Sequence, residues 1–106
     1  MAFKVMERGV HKIPTSKWEE FLELEKRYDA LESQWAFPPK RRYRPMFAGP
    51  PQPHTTVYMR EREWESLAAM EAAYSKAMAS PEWQALQNEL ELMDEGLYSE
   101  LFWCMP

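Results

Sequence analysis

Residues 80–86 of this chain read Ser-Pro-Glu-Trp-Gln-Ala-Leu, and they carry the clearest structural signal in the sequence. Serine at an N-cap, proline at the first helical position and an acid in the first turn each satisfy or complement the free N–H groups of a helix start. The stretch therefore predicts a new helix from Pro81. Its apolar stripe recurs at helical spacing at Trp83, Leu86, Leu90 and Met93. Gly96 is suited to the left-handed conformation that caps a helix end.

The segments on either side of this boundary predict one more helix and three strands. Residues 62–79 have apolar side chains at helical spacing, and residues 97–105 form an apolar strand. Earlier, residues 55–61 are rich in β-branched and aromatic side chains, which favour a strand. Residues 40–49 predict a strand at a sheet edge or with a bulge, because Pro45 removes one ladder donor.

The N-terminal third predicts a strand followed by a long amphipathic helix. Residues 2–10 alternate between two faces, as a strand does. Ser16 and Glu19 have the spacing of a capping box, so the helix is expected to start there. It should end near Gln34 or Trp35, because two prolines follow and proline disfavours helical geometry in the residue before it. Its apolar stripe comprises Trp18, Phe21, Leu22, Leu24, Tyr28, Leu31 and Trp35.

This order of elements is β-α-β-β-α-β with an extra helix before the last strand. It predicts one α+β domain of the ferredoxin-like type over residues 1–106, with a proline-rich turn at residues 49–53 joining the second and third strands. The order does not name a reaction, because many unrelated functions occur on this fold.

Composition is that of an ordinary globular protein, with 45% hydrophobic and 28% charged residues. No apolar run has the length needed to cross a bilayer, and the alternating N-terminus is unlike a secretory signal, so we expect no membrane association. The lone cysteine, Cys104, cannot form an intramolecular disulfide. These features predict a cytoplasmic protein.

Charge is divided unevenly along the chain. Residues 1–53 hold 10 Lys or Arg against 7 Asp or Glu, whereas residues 54–106 hold 3 against 10. The net charge of -4 argues against general binding of nucleic acid. His11 and His54, the only histidines, lack zinc-site spacing, and three scattered glycines cannot build a phosphate loop. We therefore expect no metal and no cofactor.

The proline-bounded second and third strands, the aromatic-marked helix, residues 80–86 and the closing strand together resemble the dimeric α/β-barrel superfamily. Within it, the chain looks most like the NIPSNAP-type stress-responsive proteins. The resemblance spans nearly the whole chain and implies a homodimer in which the sheets of two subunits enclose a barrel. Several relatives use that space for small-molecule oxidation, isomerisation or haem chemistry. NIPSNAP-type proteins share no settled reaction, so the resemblance implies no catalytic residue.

One face of the predicted sheet carries fewer aliphatic side chains, and its polar groups need partners if a second sheet covers them. The candidates on this inferred face are Arg42, Arg44, His54, Thr56, Tyr58, Arg60, Tyr98 and Glu100. They form either a ligand pocket or a set of rim charges and interface hydrogen bonds. The arginines and aromatic rings would suit a small anionic or aromatic ligand.

Three functions remain open at this point. The first is a small-molecule-binding protein, with a cavity between sheet and helices or between subunits. The second is a cofactor-independent monooxygenase or isomerase that uses His54, Tyr58 and an arginine, although His54 also fits a solvated loop residue. The third is an interaction module without a ligand. The basic run Lys40–Arg44 is expected to pair with the acidic second half of this or a partner subunit, with anion binding as the alternative.

Overall fold

Three helices cover one face of a four-stranded antiparallel sheet in this computed structural model, which describes residues 3–46 and 54–106. The strands are β1 (Val5–Pro14), β2 (Arg41–Tyr43), β3 (Thr55–Trp64) and β4 (Tyr98–Trp103). The helices are α1 (Trp18–Gln34), α2 (Leu67–Met78) and α3 (Pro81–Met93). The strand order is β2-β3-β1-β4. This α+β arrangement is consistent with the ferredoxin-like fold predicted from the sequence.

Strand register decides which side chains face the helices. On the helix-covered face, β1 and β3 pair Val5 with Trp64, Glu7 with Arg62, Gly9 with Arg60, and His11 with Tyr58. On the opposite face, which no helix covers, Arg8 lies beside Glu100 and Val10 beside Tyr98. We call this second surface the open face.

The central strands are longer than the sequence pattern indicated. β1 continues to Pro14 instead of ending at residue 10, and β3 continues to Trp64 instead of 61, because the two strands pair with each other along their full lengths. α2 consequently starts at Leu67 and not at residue 62. Of residues 40–46 of the predicted strand 40–49, β2 comprises Arg41–Tyr43, and residues 47–49 lie outside the described residues. The proline-rich turn at 49–53 lies outside the described residues.

The helix ends test the capping residues predicted from the sequence. The Ser80 cap is confirmed: its Oγ accepts a hydrogen bond from the Trp83 backbone N–H at 3.3 Å, and Pro81 is the first helical residue. The capping box at Ser16 is wrong, because Ser16 lies in a short 3₁₀ turn and makes no capping hydrogen bond. The Gly96 cap is also wrong, since α3 ends at Met93 with Asp94 as its C-cap, and the Asp94 carboxylate accepts from the Gly96 N–H.

The core lies between the helix-covered face and the three helices. Phe21, Tyr58 and Trp83 belong to its larger cluster, and Val5 and Trp64 belong to a smaller one. Partly buried Phe37 and Tyr74 pack against both clusters and join them. The polar side chains described next are therefore enclosed by an aromatic-rich core.

Candidate ligand cavity

A cavity of about 160 Å³ lies between the sheet and the helices. Its charged and ionisable lining groups are Glu7, His11, Glu25, Glu32, Lys40 and Arg60. Its aromatic and aliphatic walls include Tyr28, Tyr74, Trp83 and Leu90. Leu97 and Ser99 also line it and are themselves exposed, so the mouth of the cavity lies beside the start of β4.

Lys40 holds together the acidic side of the cavity. Its Nζ lies 3.2 Å from Glu25, 3.1 Å from Asp29 and 3.1 Å from Glu32. Glu25 also accepts a hydrogen bond of 2.7 Å from the Tyr58 hydroxyl. Burial by itself would raise the pKa of Glu25, but Lys40 and the hydrogen bond from Tyr58 outweigh it and lower the pKa. Glu25 is therefore an ionised acid whose Oε2 is held by Lys40 and Tyr58.

Glu7 is another buried acid that lines the cavity. It accepts hydrogen bonds from the Trp64 indole N–H at 3.0 Å and from the Tyr74 hydroxyl at 2.5 Å. These two donors satisfy both of its oxygens, which lets a carboxylate sit inside an aromatic core. Glu7 therefore holds Tyr74 in place along the cavity wall.

Arg60 differs from the other charged groups of the cavity. Its guanidinium lies flat against Gly9, where an added Cβ would come within 2.7 Å of the Arg60 Cζ. Its Nε donates a hydrogen bond of 3.2 Å to His11 Nε2. Within residues 3–46 and 54–106, no carboxylate lies within ion-pair distance of it, although Arg42 and Arg62 both have such partners. In the described part of the chain only its Nε makes a hydrogen bond, so Arg60 brings a cation to the cavity with its terminal N–H groups uncommitted there.

The charge of Arg60 is kept despite its position. Burial by itself would lower the pKa of this guanidinium, but Tyr74 and nearby carboxylates, with Glu7 the foremost of these, outweigh it and raise the pKa. Arg60 therefore stays positively charged although its side chain is partly buried.

His11 is almost completely buried, at 1% exposure, and its ring connects the cavity to the end of α3. Its Nδ1 lies 2.6 Å from Asp94 Oδ2. Asp94 Oδ1 accepts backbone hydrogen bonds from Lys12 and Gly96, at 3.0 Å each. Burial would raise the pKa of Asp94, but the hydrogen bonds from His11, Gly96 and Lys12 lower it. His11, Asp94 and Arg60 form a continuous chain that we call the histidine relay.

The structure divides the predicted site residues between several places. Arg60 lines the cavity. Tyr58 donates a hydrogen bond to Glu25, which lines the cavity. Arg42 pairs with Asp29 and Glu25. Thr56 is on the same face, where it is paired with Ile13 across the strands. These members were expected on the partner-facing side of the sheet, but they face the helices of their own chain. Within the basic run, Lys40 and Arg42 pair with acids of α1.

The expectation that all eight candidates share one face is wrong. Tyr98 and Glu100 lie on the open face, because strand pairing places them beside Val10 and Arg8. Arg44 is exposed and stacks over the Trp18 ring at 4.9 Å, away from the cavity. His54 is exposed with φ 69° at the start of β3. Counting alternate residues within each strand cannot fix the relative register of separate strands.

Sequence reasoning missed four central residues: Glu7, His11, Glu25 and Asp94. A signal for two of them existed, because Glu7 and His11 alternate with Val5 and Ile13 on one face of β1. Glu25 follows Leu24 within the buried face of α1 and so had a weaker signal. Asp94 had none, because its role depends on the contact between a helix end and the first strand.

This fold is similar to that of solved NIPSNAP family proteins, which agrees with the resemblance predicted from the sequence. A NIPSNAP family protein from Agrobacterium tumefaciens superimposes with a TM-score of 0.72 at 14% identity, over 99% of this chain and 89% of that one. A hydroxynitrile lyase from Passiflora edulis gives 0.72 at 12% identity, over 99% and 96%. A putative antibiotic biosynthesis monooxygenase from Nitrosomonas europaea gives 0.67 at 11% identity, over 99% and 93%.

Identities this low establish a common fold and leave the activity open. Neither a protein-family model nor a curated protein matches the sequence. Among the described residues, no cluster of three or more His, Cys, Asp or Glu side chains is arranged to hold a metal ion. No helix in residues 3–46 and 54–106 has the length and apolar character needed to cross a membrane.

Proposed function

We propose that this protein binds a small anion-bearing molecule in the cavity between its sheet and helices. The observation that supports it is the Arg60 guanidinium, which is partly buried, lines the cavity and has no carboxylate within ion-pair distance in the part of the chain that the structure describes. A buried cation normally acquires a partner, and a planar guanidinium is suited to binding a carboxylate through two hydrogen bonds. A ligand carboxylate would supply that partner.

The size and walls of the cavity limit the ligand. A volume of about 160 Å³ is close to that of an engineered cavity of about 150 Å³ known to hold benzene. Trp83, Leu90 and the ring of Tyr28 supply flat or apolar surface opposite the polar wall. We therefore expect a short carboxylic acid, aliphatic or with a single ring.

Thermal-shift measurements with pyruvate and benzoate test this proposal. A ligand that binds only the folded state raises the melting midpoint of the protein, and the rise grows with ligand concentration. The midpoint of the wild type should rise above that in sodium chloride of equal ionic strength, and Arg60→Met should show no such response. Arg44→Met is the matched control, because it removes an exposed arginine outside the cavity and should respond like the wild type. Equal responses of wild type and Arg60→Met would exclude this site.

We also propose that two copies of the chain associate through their open faces. Large apolar side chains lie on this face without cover, including Tyr98 at 51% and Phe102 at 40% exposure. The same face carries positive charges at Lys12 and Arg41 and negative charges at Glu63 and Glu100. Such a mixed surface can be complementary to itself across a two-fold axis.

Sedimentation at micromolar concentration tests the association. The wild type should have twice the chain mass of 12.7 kDa, and Phe102→Glu should shift the equilibrium towards monomer by placing a charge in the apolar patch. Leu92→Glu is the control, since Leu92 is exposed on a helix. A monomeric wild type would contradict the proposal without affecting the ligand cavity.

A further inference from the structure

The histidine relay places an imidazole nitrogen next to the cation that we assign to ligand binding. His11 Nε2 and Arg60 Nε are 3.2 Å apart, and both residues line the cavity. A carboxylate bound by the terminal N–H groups of Arg60 would therefore leave the rest of a small molecule within reach of His11.

The hydrogen bonds fix which ring nitrogen of His11 carries the proton. An arginine Nε–H can only donate, so His11 Nε2 must accept this bond through its lone pair. Nδ1 then carries the hydrogen and donates it to Asp94 at 2.6 Å. A carboxylate on Nδ1–H orients the ring and stabilises the imidazolium that forms when Nε2 takes up a proton.

Asp94 is itself held in a fixed position. Backbone N–H groups of Lys12 and Gly96 donate to its second oxygen, and the neighbouring Glu95 N–H donates to the Lys12 carbonyl at 2.8 Å. The carboxylate is thus oriented by β1 and by the segment that follows α3, before any ligand arrives.

Four other polar side chains of the cavity are less suited than His11 to act as a base. Burial, followed by nearby glutamates, raises the pKa of the Tyr28 hydroxyl and of the Tyr74 hydroxyl, so both stay protonated. Glu25 is engaged by Lys40 and Tyr58, and Glu7 by Trp64 and Tyr74. In this structure the Nε2 lone pair of His11 accepts the Arg60 Nε–H, so it can take up a proton only when a bound anion draws that N–H away.

We propose that His11, oriented by Asp94, is the general base of a keto-enol proton transfer on a small 2-oxo acid whose carboxylate is bound by Arg60. This rests on the proposed function and names its substrate class. His11 Nε2 takes a proton from the carbon next to the ketone. The electrons of that C–H bond form a carbon-carbon double bond, and the carbonyl π electrons move to the oxygen, beside the Arg60 cation. Return of the proton to oxygen gives the enol, and return to carbon regenerates the ketone, so no oxidant or cofactor is consumed.

Hydrogen-deuterium exchange of pyruvate and 2-oxobutyrate in D₂O, followed by proton NMR, tests this step. Each turnover replaces a proton next to the ketone with a solvent deuteron. The wild type should exchange these protons roughly 100-fold or more faster than His11→Asn, after subtraction of the protein-free rate. Asparagine at position 11 still offers an N–H to Asp94 but has no basic nitrogen. Asp94→Asn should give an intermediate rate, because it weakens the orientation of the ring.

The outcomes separate this inference from the proposed function. Exchange that is lost in His11→Asn, while pyruvate still raises the melting midpoint of that variant, supports the general base. Equal exchange by wild type and His11→Asn overturns it. Binding that depends on Arg60 without exchange also overturns it, but leaves the binding proposal intact. Absence of binding that depends on Arg60 removes both.

Discussion

At the level of a single residue, Lys40 shows how this core accommodates acidic side chains. Its side chain is 6% exposed and its ammonium contacts Glu25, Asp29 and Glu32, of which Glu25 and Glu32 are buried. Removing one partner from a buried ion pair leaves an uncompensated charge, which costs far more than the pair contributes.

We therefore expect Lys40→Met to destabilise the fold by about 3–5 kcal/mol. Lys26→Met is the matched control, because the Lys26–Glu23 pair is 72% and 71% exposed and such pairs contribute no more than about 0.5 kcal/mol. Urea unfolding of the three proteins at pH 7 measures both changes. Similar losses in the two variants would contradict the view that Lys40 stabilises by neutralising buried acids.

At the level of elements, three serines that precede helices differ in whether they cap the helix. Ser66 and Ser80 are the N-caps of α2 and α3, and each accepts a hydrogen bond from the backbone N–H three residues later. Ser16 precedes α1 but makes no capping bond, because a 3₁₀ turn intervenes between β1 and the helix. A favourable residue type is therefore effective only where the backbone adopts the cap conformation.

Ser80→Ala should lower stability by about 1 kcal/mol, through loss of the bond to the Trp83 N–H. Ser16→Ala should have little effect, because no capping hydrogen bond is lost. Thermal unfolding followed by circular dichroism compares the two. A larger loss in Ser16→Ala than in Ser80→Ala would show that the capping assignments are reversed.

Across the whole molecule, buried carboxylates make the folded state less stable as the pH becomes acidic. The pKa values of Asp94 and Glu25 are both lowered in the folded state. Their contribution is fully present above the unfolded values of roughly 3.9 for Asp and 4.3 for Glu. It is lost as the pH falls through the lower folded values, because the unfolded chain then binds more protons than the folded one.

The melting midpoint of the wild type should therefore fall steeply below about pH 4. Asp94→Asn should have a lower midpoint at pH 7 and a shallower decline in acid, since one of the responsible groups is gone. Glu91→Gln, at an exposed position on α3, should keep the wild-type slope. Identical slopes for wild type and Asp94→Asn would exclude Asp94 as a source of the acid sensitivity.

Sequence by itself determined the kinds and order of the elements. Helix periodicity, alternation in strands and the Ser80–Pro81 boundary depend on neighbouring residues, so they can be read locally and survive in the structure. The resemblance to NIPSNAP-type proteins also followed from that order. Arg60 and Tyr58 were identified as polar residues needing partners, although the partners could not be named.

Only the tertiary structure decided which polar residues meet. Register placed Tyr98 and Glu100 on the open face, and it placed Arg60 beside His11, 49 positions away in the chain. Asp94 reaches His11 across 83 positions because α3 ends against β1. Such contacts follow from the packing of helices on a paired sheet, and a one-residue slip in pairing would move each side chain to the other face. The cavity is therefore a property of the folded chain, and no local segment encodes it.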